Sequence, residues 1–445
     1  MKDVFVGNTE YFKSVEKVVY EGPTSDNPLA FKFYDPDKIV AGKTMKEHLR
    51  FSIAYWHSFC ADGKDPFGNA TIDFPWTDPD PMQSARNKAE AAFEFFTKIQ
   101  APFYAFHDID ASPEGDSADQ YVKNYHEIAD LLKSLQDATG VKLLWNTSNL
   151  FSNPRYMNGA ASNPEFSVLT RAALQVKTSL DVNVKLGGLG YTFWGGREGY
   201  MSLWNTDTKR ELDHLGMFFA MARDYGRKIG FKGNFYIEPK PMEPSKHQYD
   251  YDAATAIAFI KEYGLEKDFS CNIENNHATL AGHSFAHDLQ VCVNNNMLGS
   301  VDANQGDPQN GWDTDEFPTN VYDTVEAMMI ILKNGGLHNG GLNFDAKRRR
   351  NSTDLEDLFI AHIGGMDTFA LGLEIAQAMI DDGKIDHFRR QRYSSFDSGD
   401  GARFEAGKLD LKTLAALSST FKDEKISGKQ EMLMNLVNQY MFRSR

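Results

Sequence analysis

NFYIE, residues 234–238, is a short run of aromatic and β-branched residues that ends on a carboxylate. Such a run reads as a buried strand, with Glu238 at its C-terminal end. The pattern recurs downstream: SCNIE (270–274) ends on Glu274, LGSVD (298–302) on Asp302 and GLNFD (341–345) on Asp345. A carboxylate buried at a strand end is costly to desolvate unless a cation or a partner offsets it. Acids at the same end of successive strands therefore point to a metal centre assembled from neighbouring strands.

Upstream, four more runs have strand character: FSIAYW (51–56), FYAF (103–106), KLLWN (142–146) and GYTFW (190–194). The eight starts lie 28 to 52 residues apart, the rhythm of βα units with decorated loops. Helical patterning fills the gaps, as in SARNKAEAAFEFFTKI (84–99), NYHEIADLLKSLQDAT (124–139) and DYDAATAIAFIKEYG (250–264). The last opens on Asp250, a good N-cap residue, and closes on Gly264, a good helix stop. Eight βα units predict an α/β fold, a (β/α)8 TIM barrel whose active site lies at the C-terminal ends of its strands. The four acids sit at those ends. Beyond Asp345 the pattern is helical over 355–380, 409–421 and 429–442, with no linker-like stretch. The expected division is an N-terminal segment plus catalytic barrel over 1–350, then the final barrel helix and a helical tail over 351–445. The apolar residues of that tail need a covering surface, which predicts subunit contacts.

Bulk composition narrows the function. The chain has 445 residues and a formal net charge of −15, which argues against nucleic acid as the main partner. Cys60, Cys271 and Cys292 make no disulfide framework, the usage of a reducing compartment. The start MKDVFVGNTEYF is too polar for a signal peptide. No run reads as the ~18 apolar residues that span a bilayer. A cytoplasmic protein without membrane partners is expected.

More groups with ligand spacing lie near the strand-end acids. His277 follows Glu274 by three residues in NIENNHATL, and Asp313 and Asp315 flank Thr314 in GWDTDEFP. Oxygen-dominated ligation with one imidazole favours Mg²⁺, Mn²⁺ or Co²⁺ over a thiolate zinc site. Six carboxylates suit two divalent ions plus Lys240, which Pro239 and Pro241 hold in place beside Glu238. In FHDID, His107 and Asp110 form an acid–base pair in which the carboxylate orients the ring. HSFAH (283–287) lacks the Glu of a zinc-protease motif and reads as helix packing. KRRR (347–350) follows Asp345 and reads as ion pairs or an interface. WGGREG (194–199) has no dinucleotide-binding spacing.

Nearly the whole chain resembles the xylose isomerases, specifically their longer class (class II). The resemblance rests on FHDID, LLWNTSNLFSNPRYMNGA (143–160), FWGGREGY (193–200), IEPKPMEPSKHQYD (237–250), NIENNHATLAGHSF (272–285), VDANQGD (301–307), WDTDEFP (312–318) and GGLNFDAK (340–347), in that order. It implies a metal-dependent aldose–ketose isomerase acting on D-xylose, and on D-glucose, by ring opening and a 1,2-hydride shift. It implies that Glu238, Glu274, Asp302 and Asp345 hold one ion, and that Glu274, His277, Asp313 and Asp315 hold the other. His107, steered by Asp110, would assist ring opening, and Lys240 would contact the oxygen on the first sugar carbon. Trp56 and Trp194 resemble the walls of the sugar site, with Thr147 and Phe151 nearby. Phe67 is similar to a residue that reaches into a neighbouring subunit's site, which implies a homo-oligomer, typically a tetramer. Asn146, Ser148 and Trp204 depart from the family's usual residues and bear on sugar preference. Two other classes compete. A barrel-shaped metal nuclease would need a basic groove, and an idle metal-stabilised binding protein would not need His107 and Lys240.

Overall fold

The computed structural model describes residues 4–422 and 424–443. Eight parallel strands close into a barrel in chain order. They are β1 (Phe51–Ala54), β2 (Phe103–His107), β3 (Lys142–Thr147), β4 (Gly190–Trp194), β5 (Asn234–Glu238), β6 (Phe269–Glu274), β7 (Leu298–Asp302) and β8 (Leu342–Phe344). Each is followed by a helix of the outer ring: α1 (Pro81–Ile99), α2 (Ala118–Thr139), α3 (Phe166–Leu186), α4 (Thr208–Lys228), α5 (Ala253–Glu262), α6 (Phe285–Asn294), α7 (Val321–Lys333) and α8 (Leu355–Asp382). This is the (β/α)8 barrel expected from the spacing of the strands.

Boundaries differ where caps override the apolar pattern. α1 begins three residues earlier than its pattern because the Asp80 side chain accepts from Met82 N and Pro81 opens the helix. α2 begins at Ala118 because Ser117 caps it. The first strand stops at Ala54, and Tyr55–Phe59 forms a short helix that carries Trp56. Asp345 lies one residue beyond β8.

Alternation along each strand builds two cores. Tyr104 and Phe106 of β2 join the large cluster between strands and helices. Phe103 and Ala105 face a smaller cluster with Leu144, Trp145 and Tyr236. Tyr236 is fully buried, and a Cβ on Gly190 or Gly299 would approach its ring to 2.3 or 2.4 Å. Register then aligns the strand ends. Trp194 is opposite Glu238, Glu274 opposite Asp302, and Asp302 opposite Asn343.

The chain continues through α9 (Lys384–Tyr393), α10 (Gly399–Glu405), α11 (Leu411–Leu417) and α12 (Gln430–Arg443). α12 returns to the barrel, burying Leu436, Val437 and Tyr440, and the Tyr440 hydroxyl bonds to Asp382 at the end of α8. α9, α10 and α11 bury no residue, and Phe404 and Leu411 are exposed. Contrary to the sequence reading, α8 is long and apolar enough to cross a membrane by length and composition. Most of its apolar stretch is packed inside this fold, as in a core helix.

Candidate functional site

One oxygen from each of Glu238, Glu274, Asp302 and Asp345 lies within 4.8 Å of the others. Glu274 also groups within that distance with Glu238 and His277, and with Asp313 and Asp315. Register supplies the first set, because β5, β6 and β7 end side by side. The one-turn helix Asn275–Leu280 starts directly after Glu274 and brings His277 back over it, with Nδ1 3.2 Å from Glu274 Oε2. Asp313 and Asp315 come from the loop after β7. Asp315 has φ of 46°, a strained setting for a residue with a side chain. Lys347 N and Arg349 Nη2 hold its carbonyl at 2.9 and 2.8 Å.

The electrostatics of this cluster call for cations. Burial, then the neighbouring acids, pushes the carboxyls of Glu238 and Glu274 well above their usual range. Burial and Asp345 push Asp302 up to about 8. Burial acts the same way on Asp313, but His277 and Lys240 outweigh it and hold that carboxyl low. Asp315 is also held low: Lys347 and His57 outweigh burial and Asp313. His277 Nδ1 is buried and makes no hydrogen bond. Carboxylate oxygens crowded around one open imidazole nitrogen fit divalent cations of the Mg²⁺, Mn²⁺ and Co²⁺ type.

These acids floor a cavity that Trp56, Trp145, Phe151 and Trp194 wall, with Thr147 and Lys240 on its lining. Phe151 meets Trp194 edge-on at 4.4 Å between ring centres. His107 lies 4.6 Å from the Trp56 ring, and its Nδ1 is 2.7 Å from Asp110 Oδ2. Burial disfavours the His107 imidazolium, but Asp110 outweighs it and raises the pKa. Lys240 Nζ donates to Asp313 Oδ2 and lies 5.3 Å from the centre of the Trp194 ring. Burial works against its ammonium, yet Asp313 keeps the pKa above the usual lysine value.

Residues 389–441 match the family described as the XylA2 C-terminal domain. The xylose isomerase of Xanthomonas oryzae pv. oryzae is 57% identical over 441 residues, covering 99% of both chains. The chain belongs to the xylose isomerase family. Xylose isomerase 2 of Xanthomonas campestris pv. campestris is 58% identical over 442 residues, again with 99% of both chains covered. Among solved structures, an L-ribulose 3-epimerase shares the fold with a TM-score of 0.51 at 12% identity, covering 75% of this chain and 97% of that one.

In this xylose isomerase family member, most of the residues singled out from sequence converge on the cavity, and the others stand apart from it. Asp302 sits beneath the cavity, where Asn272 and Asn343 each donate to it at 2.7 Å. Phe67 is exposed, meets Trp312 at a tilt with 5.6 Å between ring centres, and does not line its own chain's cavity. Asn146 and Ser148 turn away from the cavity: the first donates to Tyr125 Oη and the second to Ser179 Oγ. Trp204 is fully exposed. HSFAH opens α6, with Ser284 as N-cap and Phe285 packed in the core, while His283 lies just before the helix.

Sequence reasoning missed His57, Trp145 and the amides that brace the acids, whereas KRRR makes the ion pairs expected of it, Lys347 with Asp315 at 2.8 Å and Arg349 with Glu316 at 3.6 Å. Asn304 Nδ2 donates to Glu274 Oε1 at 2.7 Å and to the Asp345 carbonyl at 2.8 Å. A signal was present: Asn272, Asn304 and Asn343 each stand two residues from a strand-end acid, in NIE, DAN and NFD. Period-two alternation puts Asn272 and Glu274 on one face of β6, and the other two pairs straddle the ends of β7 and β8.

Proposed function

We propose that this chain is a class II, divalent-metal-dependent isomerase that interconverts D-xylose and D-xylulose, and also D-glucose and D-fructose. The observation that carries the reading is Glu274, whose carboxylate lies within reach of two groups of donors at the floor of an aromatic cavity. Glu238, Glu274, Asp302 and Asp345 would hold one ion, and Glu274, His277, Asp313 and Asp315 the other. When bound, these ions supply Lewis-acid polarisation of sugar oxygens.

The chain's own groups do the rest. Asp110 fixes Nδ1 of His107, leaving Nε2 to exchange a proton with the ring oxygen of a cyclic sugar as it opens. Trp56 and Trp194 cover the hydrophobic face of the sugar and exclude water. Lys240 is the cation for the oxygen on the first carbon. The acids that line the cavity all belong to the donor groups, so none is a free base for the second carbon. Hydrogen then moves with its bonding pair directly from the second carbon to the first, while the proton of the 2-hydroxyl ends on the first carbon's oxygen.

The exposed apolar residues of α9–α11 support a role for segment 351–445 in covering a neighbouring subunit. Phe67, exposed on its own chain, would enter that neighbour's cavity, and the active unit would be a cytoplasmic tetramer. Sugar deuterated at the second carbon tests the chemistry: the ketose should retain the label on the first carbon, and wash-out into water overturns the hydride shift.

A further inference from the structure

A second group of ligand-type side chains lies apart from the sugar cavity, where the N-terminal ends of α5 and α6 meet. A donor atom from each of His283, His287 and Asp288 lies within 4.8 Å of the other two. The His283 and His287 rings face each other at 4.4 Å and 27°. His283 Nε2 is 3.1 Å from Oδ2 of Asp252, whose Oδ1 caps α5 through Thr255 N at 2.8 Å. Asp288 is buried, and among the described residues its carboxylate accepts only a long bond, 3.4 Å, from Ala253 N.

Among the described residues His283 pairs with Asp252 at 3.1 Å, but neither ring bonds to Asp288. Two facing imidazolium rings would repel, whereas two neutral rings would leave the buried Asp288 carboxylate short of partners. Burial raises the Asp288 pKa, with His283 and His287 acting in the opposite direction. A cation between the rings and the Asp288 carboxylate would relieve all of these constraints at once. Two imidazoles and a buried carboxylate are donors suited to a borderline cation, unlike the oxygen-rich set under the sugar cavity.

We propose that His283, His287 and Asp288 form a zinc-class divalent cation site that ties α5 to α6, with Asp252 orienting the His283 ring. It stands independently of the reaction proposed for the sugar cavity. His287 is exposed and touches none of the cavity residues, so His287→Ala should leave fold and Mg²⁺-supported basal activity unchanged.

The test is zinc binding to the intact protein kept in excess Mg²⁺, with bound zinc counted per chain and located by anomalous diffraction at the zinc edge. The expected result is an anomalous peak within bonding distance of both imidazoles and one zinc ion fewer per chain in His287→Ala. If that variant folds poorly, His283→Asn, whose amide can keep the bond to Asp252, should show the same loss of one ion. Zinc-loaded wild-type protein with no peak between His283 and His287, or a folded variant that binds as much zinc as the wild type, overturns the proposal.

Discussion

His57 Nε2 lies 2.8 Å from Asp345 Oδ1, and the same nitrogen is 3.2 Å from Asp315 Oδ2. One imidazole thus joins an acid of each proposed ion site. Burial disfavours its charged form, but Asp345 and Asp315 outweigh that and raise its pKa to about 9. Trp56, its neighbour on the same helix, donates to the same Asp345 oxygen at 2.9 Å. Groups that orient ligands in this way are worth about 10- to 100-fold in metal affinity. His57→Ala should therefore weaken both ions, as read by Mn²⁺ calorimetry. Two unchanged affinities would show that His57 only fills space.

Asp313 belongs to the second donor group alone, and Lys240, Asn276 and His277 surround it. Asp313→Asn should reduce affinity for the second ion far more than for the first. Stepwise Co²⁺ titration resolves the two, and equal weakening of both contradicts the division of ligands.

In the proposed reaction His107 transfers a proton and Asp110, 2.7 Å from its Nδ1, orients it. His107→Asn should lower kcat by about 10²- to 10⁴-fold, the usual worth of a positioned acid or base. Asp110→Asn should act in the same direction. Mn²⁺ affinity should be unchanged in both, since neither residue belongs to the donor groups. A matching loss of metal would mean that the two serve the ion sites instead.

His362, in α8, is a buried imidazole that does not line the cavity. Its Nδ1 lies 2.7 Å from the Leu358 carbonyl, Nε2 has no partner, and Phe95, Phe317 and Phe344 surround it. Burial lowers its pKa from 6.5 to about 3, with the Leu358 carbonyl pulling the other way. The unfolded chain therefore binds a proton that the folded chain refuses. The neutral ring's contribution is complete above pH 6.5 and is lost as pH falls toward 3, by at most about 1.4 kcal/mol per pH unit. Urea midpoints across this window should fall less steeply in His362→Leu, and identical slopes would contradict the assignment.

The barrel and the acids were readable from sequence because each acid closes an apolar strand, and strand ends in this fold converge on one face. His57 was not readable because FSIAYW looks like one strand. The short helix from Tyr55 buries Tyr55 and Phe59, and it brings Trp56 and His57 onto Asp345. Asn272, Asn304 and Asn343 went unnoticed because a neutral amide carries no charge signal, although their spacing marks them. The opposite limit applies to α9–α11: helical pattern identifies the helices, but an apolar face does not name the surface that covers it.

The most direct measurement is the rate of D-xylulose formation from D-xylose by protein stripped with a chelator and then resupplied with Mg²⁺, Mn²⁺ or Co²⁺. Activity should fall to background on stripping and return with at least one of these ions. Full activity after exhaustive chelation would contradict a reaction that depends on the ions held around Glu274.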